Sequence, residues 1–265
     1  MQTTFRGAWL AAGAVLLTAC GGGSVPPTPT QPAPIPAAQA CDAVGGIGST
    51  ISIYSGAECS PERGPVVRLN MRAAGNAVGS CSGTIIGPRA VLTAAHCLDG
   101  GAEEVRVWLG IGEEYTASSF AYHPRFDTGS LQFDAGVVLM GEDLPRAPAS
   151  LLVTRSGQIG EAAILAGFGR DENSVTTKLR AGSTLVSNVT ATRLETKYAP
   201  PSSSICSGDS GGPIFLQTGG VWSVAGISSA TTQTACNDGT NYYQAVIPLD
   251  IREFIEQHVP GVIYR

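Results

Sequence analysis

From about residue 50 onward, short apolar runs alternate with turn-forming residues. The runs are 65–71 (PVVRLNM), 83–87 (GTIIG), 90–95 (AVLTAA), 104–110 (EVRVWLG), 135–140 (AGVVLM), 162–169 (AAILAGFG), 183–191 (STLVSNVTA), 212–217 (GPIFLQ), 221–229 (VWSVAGISS) and 242–249 (YYQAVIPL). They are rich in Val, Ile, Leu and Thr and are bounded by Gly, Pro, Asn or Asp, the pattern of β-strands separated by turns. Strands at this fairly regular spacing predict an all-β sandwich or barrels. One stretch has a helical period instead. In 249–259 (LDIREFIEQHV), Leu249, Ile251, Phe254, Ile255 and Val259 fall roughly on one face.

The first 45 residues follow another pattern. Arg6 precedes an apolar stretch, 8–19, of signal-peptide length. It ends in LTAC, Leu17 to Cys20, which looks like a bacterial lipobox; this resemblance implies a cut before Cys20 and a diacylglyceryl group on its sulfur. The alternative is an ordinary signal peptide, with AQA at 38–40 as a distant small-residue cleavage site. Residues 21–40 are dominated by Pro, Gly, Ser and Thr, so nothing in them is expected to pack, and they read as a partly stiff tether. The expected organisation is a signal peptide at 1–19, a lipid-anchored tether at 20–45 and one folded domain at 46–265. Acyl chains on Cys20 would hold that domain on a membrane surface, on the periplasmic or cell-surface side.

Composition narrows the function. Of 265 residues, 43% are hydrophobic and 14% charged, a globular mixture long enough for a sizeable core. The formal charge of −5 supplies no basic footprint for nucleic acid. Beyond the N-terminus no apolar run approaches the about 18 residues of a membrane span. There are seven cysteines. With Cys20 lipidated, Cys41, Cys59, Cys81, Cys97, Cys206 and Cys236 remain, an even set that in an exported chain suggests disulfides without deciding their pairing.

The candidate chemistry centres on CSGDSGGP, 206–213. Glycines let backbone amides approach a ligand, so Ser210 is either a turn residue or a nucleophile beside a ready-made anion site. A nucleophilic serine needs a base, and histidine suits neutral pH. His258 lies at the polar end of the helix, as a solvated or capping residue. His123 precedes a proline, as turn histidines often do. His96 follows two small alanines in VLTAAHC, which leaves room for another segment to approach it; taken alone, it could equally be a packed core histidine.

Together, 82–97 (SGTIIGPRAVLTAAHC), 133–140 (FDAGVVLM), AGFG at 166–169, CSGDSGGP and the closing helix resemble the trypsin-like, or chymotrypsin-type, serine protease family over roughly residues 53–265. The resemblance implies two antiparallel six-stranded β-barrels, about 53–145 and about 155–247, with the active site in the cleft between them and a C-terminal helix. It implies Ser210 as nucleophile, His96 as base and Asp134 as the orienting acid, in the His, Asp, Ser chain order of that family. Asp127 is the rival acid, but it lies in the polar DTGS turn, whereas Asp134 leads into a buried strand. The amides of Gly208 and Ser210 would form the oxyanion hole. Disulfides Cys81–Cys97 and Cys206–Cys236 are implied, with Cys41 and Cys59 as the remaining pair. No cofactor or metal is required; a zinc reading of Cys81, His96 and Cys97 lacks CxxC or HExxH spacing.

Two features depart from the family pattern. An Ile-Val-Gly-Gly-like mature start usually follows Arg or Lys, but this chain has Ser52 before Ile53. Either another protease cuts there, or the buried acid Asp209 finds its partners internally, since a buried carboxylate must be met by something. The specificity pocket departs as well. Ser204 at the floor carries no acid to pair with Arg or Lys. Ser229 would pair with substrate backbone, Ala230 replaces the usual tryptophan, and Thr231 and Asn241 replace wall glycines and narrow the pocket. The sequence therefore predicts an exported, lipid-anchored serine endopeptidase acting on proteins or peptides after small or medium uncharged side chains. A non-catalytic binding or adhesion module and an esterase with the same triad are the alternatives.

Overall fold

The computed structural model describes residues 35–45, 48–49, 55–112, 114–233 and 235–265. The expected signal peptide, Cys20, most of the tether, and the Ser52–Ile53 step lie outside them.

A helix, α1 (Ala37–Ala43), and two short strands, β1 (Gly48–Ser49) and β2 (Ala57–Cys59), precede the first barrel. That barrel contains β3 (Val66–Ala73), β4 (Asn76–Gly87), β5 (Ala90–Thr93), β6 (Glu104–Trp108), β7 (Glu114–Tyr122) and β8 (Gly136–Met140). Its order is β3-β4-β5-β8-β7-β6, closed by β6 on β3 and antiparallel throughout. Strand alternation drives closure. Leu69 and Met71 of β3 stand opposite Val107 and Val105 of β6, and all four are buried. Side chains on one pleat face thus fill the interior of a small barrel.

The second barrel contains β9 (Ala162–Gly167), β10 (Arg180–Val189), β11 (Arg193–Lys197), β12 (Pro213–Thr218), β13 (Val221–Thr231) and β14 (Thr240–Ala245). The order β10-β11-β14-β13-β12-β9 is closed by β9 on β10, with β2 and β1 added outside β10. Leu165, Val186, Leu194, Ile214, Leu216 and Tyr243 form its core. The helix α3 (Leu249–His258) buries Ile251, Phe254 and Ile255. Leu249 is 58% exposed and does not share their face, because it lies two residues before Ile251, more than half a turn around the helix.

The folded part begins earlier than composition suggests. Ala40 and Cys41 are fully buried, Val44 nearly so, and Ser183 Oγ of β10 donates to the Ile35 carbonyl at 2.9 Å. The expectation that nothing up to residue 40 can pack therefore fails at Ile35 and Ala40. A disulfide joins Cys41 to Cys59 with Cα atoms 5.4 Å apart, stapling α1 to β2. The others are Cys81–Cys97 and Cys206–Cys236, with Cα separations of 6.3 and 5.2 Å. Three such bridges belong to an exported protein folded in an oxidising compartment.

Two barrel strands have no counterpart among the apolar runs. In β7 no residue is fully buried, and β11 buries only Leu194 and Thr196. His123 opens the turn expected of a histidine before proline, its carbonyl accepting the Phe126 N–H at 2.9 Å, and its ring is buried, 4% exposed and stacked on Phe133 at 4.8 Å between ring centroids.

Candidate active site

The strand β5 ends at Thr93, and the chain turns through Ala94 into a one-turn helix, α2 (Ala95–Leu98), that carries His96. Both alanines are fully buried, and their small size lets two other segments approach. One is the loop before β8. Leu131 and Phe133 adopt left-handed φ values of 52° and 56°, and Asp134 follows with no exposed surface. Its Oδ1 accepts the His96 backbone N–H at 3.0 Å, and its Oδ2 lies 2.8 Å from His96 Nδ1. An ionised carboxylate only accepts, so neutral imidazole must carry its proton on Nδ1 and leave a lone pair on Nε2. Ser229 Oγ also donates to Oδ2, at 2.5 Å.

The other segment is the nucleophile loop. Gly211 has φ 79°, and a Cβ there would collide with Thr93 Oγ1 and crowd the Ala94 amide. Only glycine lets 210–212 lie against the strand end that delivers His96. Ser210 and His96 consequently line one depression of about 260 Å³, with Met71, Val78 and the Cys81–Cys97 bridge. Among the described residues no hydrogen bond joins Ser210 Oγ to His96 Nε2, which lies 3.9 Å from Cys97 Sγ. Such bonds are commonly long in unliganded enzymes and tighten with substrate. The amides of Gly208 and Ser210 meet no acceptor among the described residues, whereas Asp209, Gly211 and Gly212 donate to Cys206, Ser228 and Asp209 carbonyls.

Asp127 plays no part in this group. It is exposed and accepts hydrogen bonds from Ser130 N and Oγ. Cys81, His96 and Cys97 cluster closely, but the two sulfurs are bonded to each other, so neither offers a thiolate to a metal.

Asp209 is 3% exposed, with Oδ1 on the Gly169 N–H at 2.8 Å and Oδ2 on the Cys206 N–H at 2.9 Å. Burial pushes its carboxyl up to about 6, against the pull of the two amides and the nearby Arg180 guanidinium. Arg180 itself is paired with Asp171 at 2.6 Å. A carboxyl raised on folding contributes stability that is complete below its unfolded value near 3.8 and lost as pH rises through about 6. In the uncut chain, Asp209→Asn should therefore remove a loss of about 2 kcal/mol between pH 4.5 and 7.5. Urea unfolding of parent and variant across that range measures it. Parallel profiles contradict this assignment. A parent that gains stability with pH relative to the variant would instead indicate that Asp209 pairs with a cation, such as the amino group that a cut before Ile53 would release.

Two of the residues expected to line a specificity pocket, Ser204 and Asn241, belong to a buried chain of hydrogen bonds. Ser204 and Asn241 have no exposed surface; Ser204 Oγ donates to Asn241 Oδ1 at 3.2 Å, and Asn241 Nδ2 donates to Thr196 Oγ1 at 3.2 Å. Thr231 is half-buried, and its Oγ1 accepts the Gln233 N–H. The Ser229 hydroxyl donates to Asp134 Oδ2, a side-chain contact that does not involve the backbone groups expected to pair with substrate. Sequence reasoning missed Gln244, whose Oε1 accepts the Asp134 N–H at 3.2 Å while its Nε2 donates to the Thr192 carbonyl at 3.0 Å. A glutamine inside the apolar run YYQAV was the available signal.

Two six-stranded barrels, with a buried acid holding an imidazole beside a serine, define the class of two-barrel serine proteases. A family model described as Trypsin matches residues 53–255, and the chain belongs to that family. It is 29% identical over 202 residues to a Chymotrypsin of Phaedon cochleariae, covering 63% of this chain and 70% of that protein. Likewise, it is 25% identical over 210 residues to Chymotrypsin-like elastase family member 1 of Homo sapiens, covering 64% and 78%. A third relative, Inactive CLIP domain-containing serine protease A3 of Aedes aegypti, is 24% identical over 185 residues, 55% of this chain and 39% of that protein.

Proposed function

We propose that the protein is an active serine endopeptidase in which His96, Asp134 and Ser210 work as one proton-relaying unit. The observation that carries this reading is the buried Asp134 carboxylate on His96 Nδ1, with Ser210 lining the same depression. His96 Nε2 takes the Ser210 proton as Oγ attacks the peptide carbonyl. The oxyanion receives the Gly208 and Ser210 N–H groups, which meet no acceptor among the described residues. His96 then protonates the departing amine, and water, deprotonated by His96, releases the acyl group from Ser210. No metal or cofactor takes part in these steps.

The pocket favours small or medium uncharged side chains before the cut. Ser204, the residue expected at its floor, carries no charge, and the buried Asn241 side chain packs on it, Nδ2 donating to Ser204 Oγ at 3.1 Å. A substrate lysine or arginine there would lose water without gaining a counter-ion. We also infer that the mature chain is held on a bacterial membrane by lipid on Cys20, from the LTAC motif and the Pro-rich segment after it.

Protein purified from its host tests both parts. Peptides differing only before the cut should be cleaved after Ala or Val about 100-fold more efficiently than after Arg or Lys, and the mature mass should include diacylglyceryl on Cys20. Efficient cleavage after Arg or Lys would overturn the pocket reading; an unmodified Cys20 would overturn the anchor.

A further inference from the structure

Ser82 lies in β4, next to the bridged Cys81, and is fully buried. Its Oγ donates to the Gly208 carbonyl at 2.8 Å and accepts the Phe168 N–H at 2.9 Å. Its own N–H donates to the Ser210 carbonyl at 2.8 Å, and its carbonyl accepts Thr93 Oγ1 at 2.9 Å. One residue of the first barrel therefore grips the carbonyls of 208 and 210, the two residues whose amides meet no acceptor among the described residues. It also fixes Phe168, whose neighbour Gly169 donates to Asp209.

The bond from the Ser82 backbone could be made by almost any residue. The side-chain bonds need a small group that donates and accepts at once, which a hydroxyl does. Gly208 has φ 99°, a conformation that glycine adopts without strain and leaves as readily. Without the hydroxyl, the Gly208 carbonyl would lose its partner, and the 208–209 peptide could rotate to find another. Rotation would carry the neighbouring N–H groups out of line, and donors to a developing oxyanion tolerate little displacement.

We propose that Ser82 is a positioning residue that holds the Gly208 and Ser210 amides in their oxyanion-binding geometry from across the barrel interface. This rests on the roles given to those residues above. Ser82 does not touch substrate; it acts through the nucleophile loop.

The test compares the parent with Ser82→Ala and with Ser82→Cys, which fills the hydroxyl's space without an equivalent donor. Both should lose about 10- to 100-fold in kcat on a peptide substrate, with KM within about twofold. Affinity for a peptide boronic acid should fall by the same factor. In that adduct Ser210 Oγ adds to boron, its proton passing to His96, and a hydroxyl of the resulting anionic tetrahedral boronate lies where the oxyanion forms. Affinity for a non-covalent peptide of the same sequence should stay unchanged. Unchanged kcat, or equal weakening of both ligands, would overturn the proposal. If the alanine variant does not fold, the cysteine variant decides; failure of both to fold makes Ser82 structural and overturns it too. A parent that hydrolyses no peptide and takes no fluorophosphonate on Ser210 would sink the endopeptidase reading itself. An active parent with indifferent Ser82 variants would sink only this inference.

Discussion

His96→Ala and Ser210→Ala should each lower kcat by about a million-fold, and the double variant should lose no more than either alone. A serine hydroxyl is a weak nucleophile until a base removes its proton as it attacks. Taking away the base or the nucleophile destroys the same transition state, so the second removal costs nothing further. What survives is the residual catalysis from binding and oxyanion donors, about a thousand-fold over water. KM should change little, because neither side chain provides much ground-state binding. Losses that multiply in the double variant, or a single variant that keeps more than a few per cent of parental kcat, would show that the two residues do not act as a unit.

Asp134→Asn should lower kcat by about 10,000-fold while leaving the fold intact. The carboxylate accepts three hydrogen bonds, from His96 N, His96 Nδ1 and Ser229 Oγ. An asparagine keeps the shape but turns one oxygen into a donor. With Oδ1 still on the His96 amide, Nδ2 faces the imidazole, and Nδ1 must then accept. The ring proton moves to Nε2, the atom that has to take the Ser210 proton. The variant is thus a histidine held in the wrong tautomer. Steady-state kinetics with parallel thermal unfolding measures the effect. A loss below about tenfold in a normally folded variant would mean that the carboxylate does not set the imidazole's protonation.

Much of this was legible in the chain because the signals are local. TAAHC places two small residues before an imidazole, and the structure shows why: Ala94 and Ala95 are buried where Asp134 and Gly211 come in. GDSGGP carries a positive-φ glycine at Gly211 that packing demands. The preference for Asp134 over Asp127 rests on the family resemblance and on expected burial, and the two environments differ in that respect, Asp134 being buried and Asp127 exposed. Other features depend on contacts between distant segments. The polar strand β7 is held by its neighbours in the barrel rather than by its own apolar pattern. Ala40 and Cys41 of α1 sit at the edge of a stretch whose Pro-rich composition hides them, and they pack because β10 and Cys59 are brought there by the fold. Ser82 and Gln244 look like ordinary polar residues in strands; their value comes from what lies opposite.

The central claim is that one serine of this chain is activated by one histidine. Reaction with a fluorophosphonate, followed by peptide mapping, tests it most directly. A single adduct per molecule is expected, on Ser210, with hydrolysis lost in proportion to labelling and with labelling abolished in His96→Ala. Folded protein that cleaves peptides while Ser210 stays unmodified, or that labels equally well without His96, would contradict it.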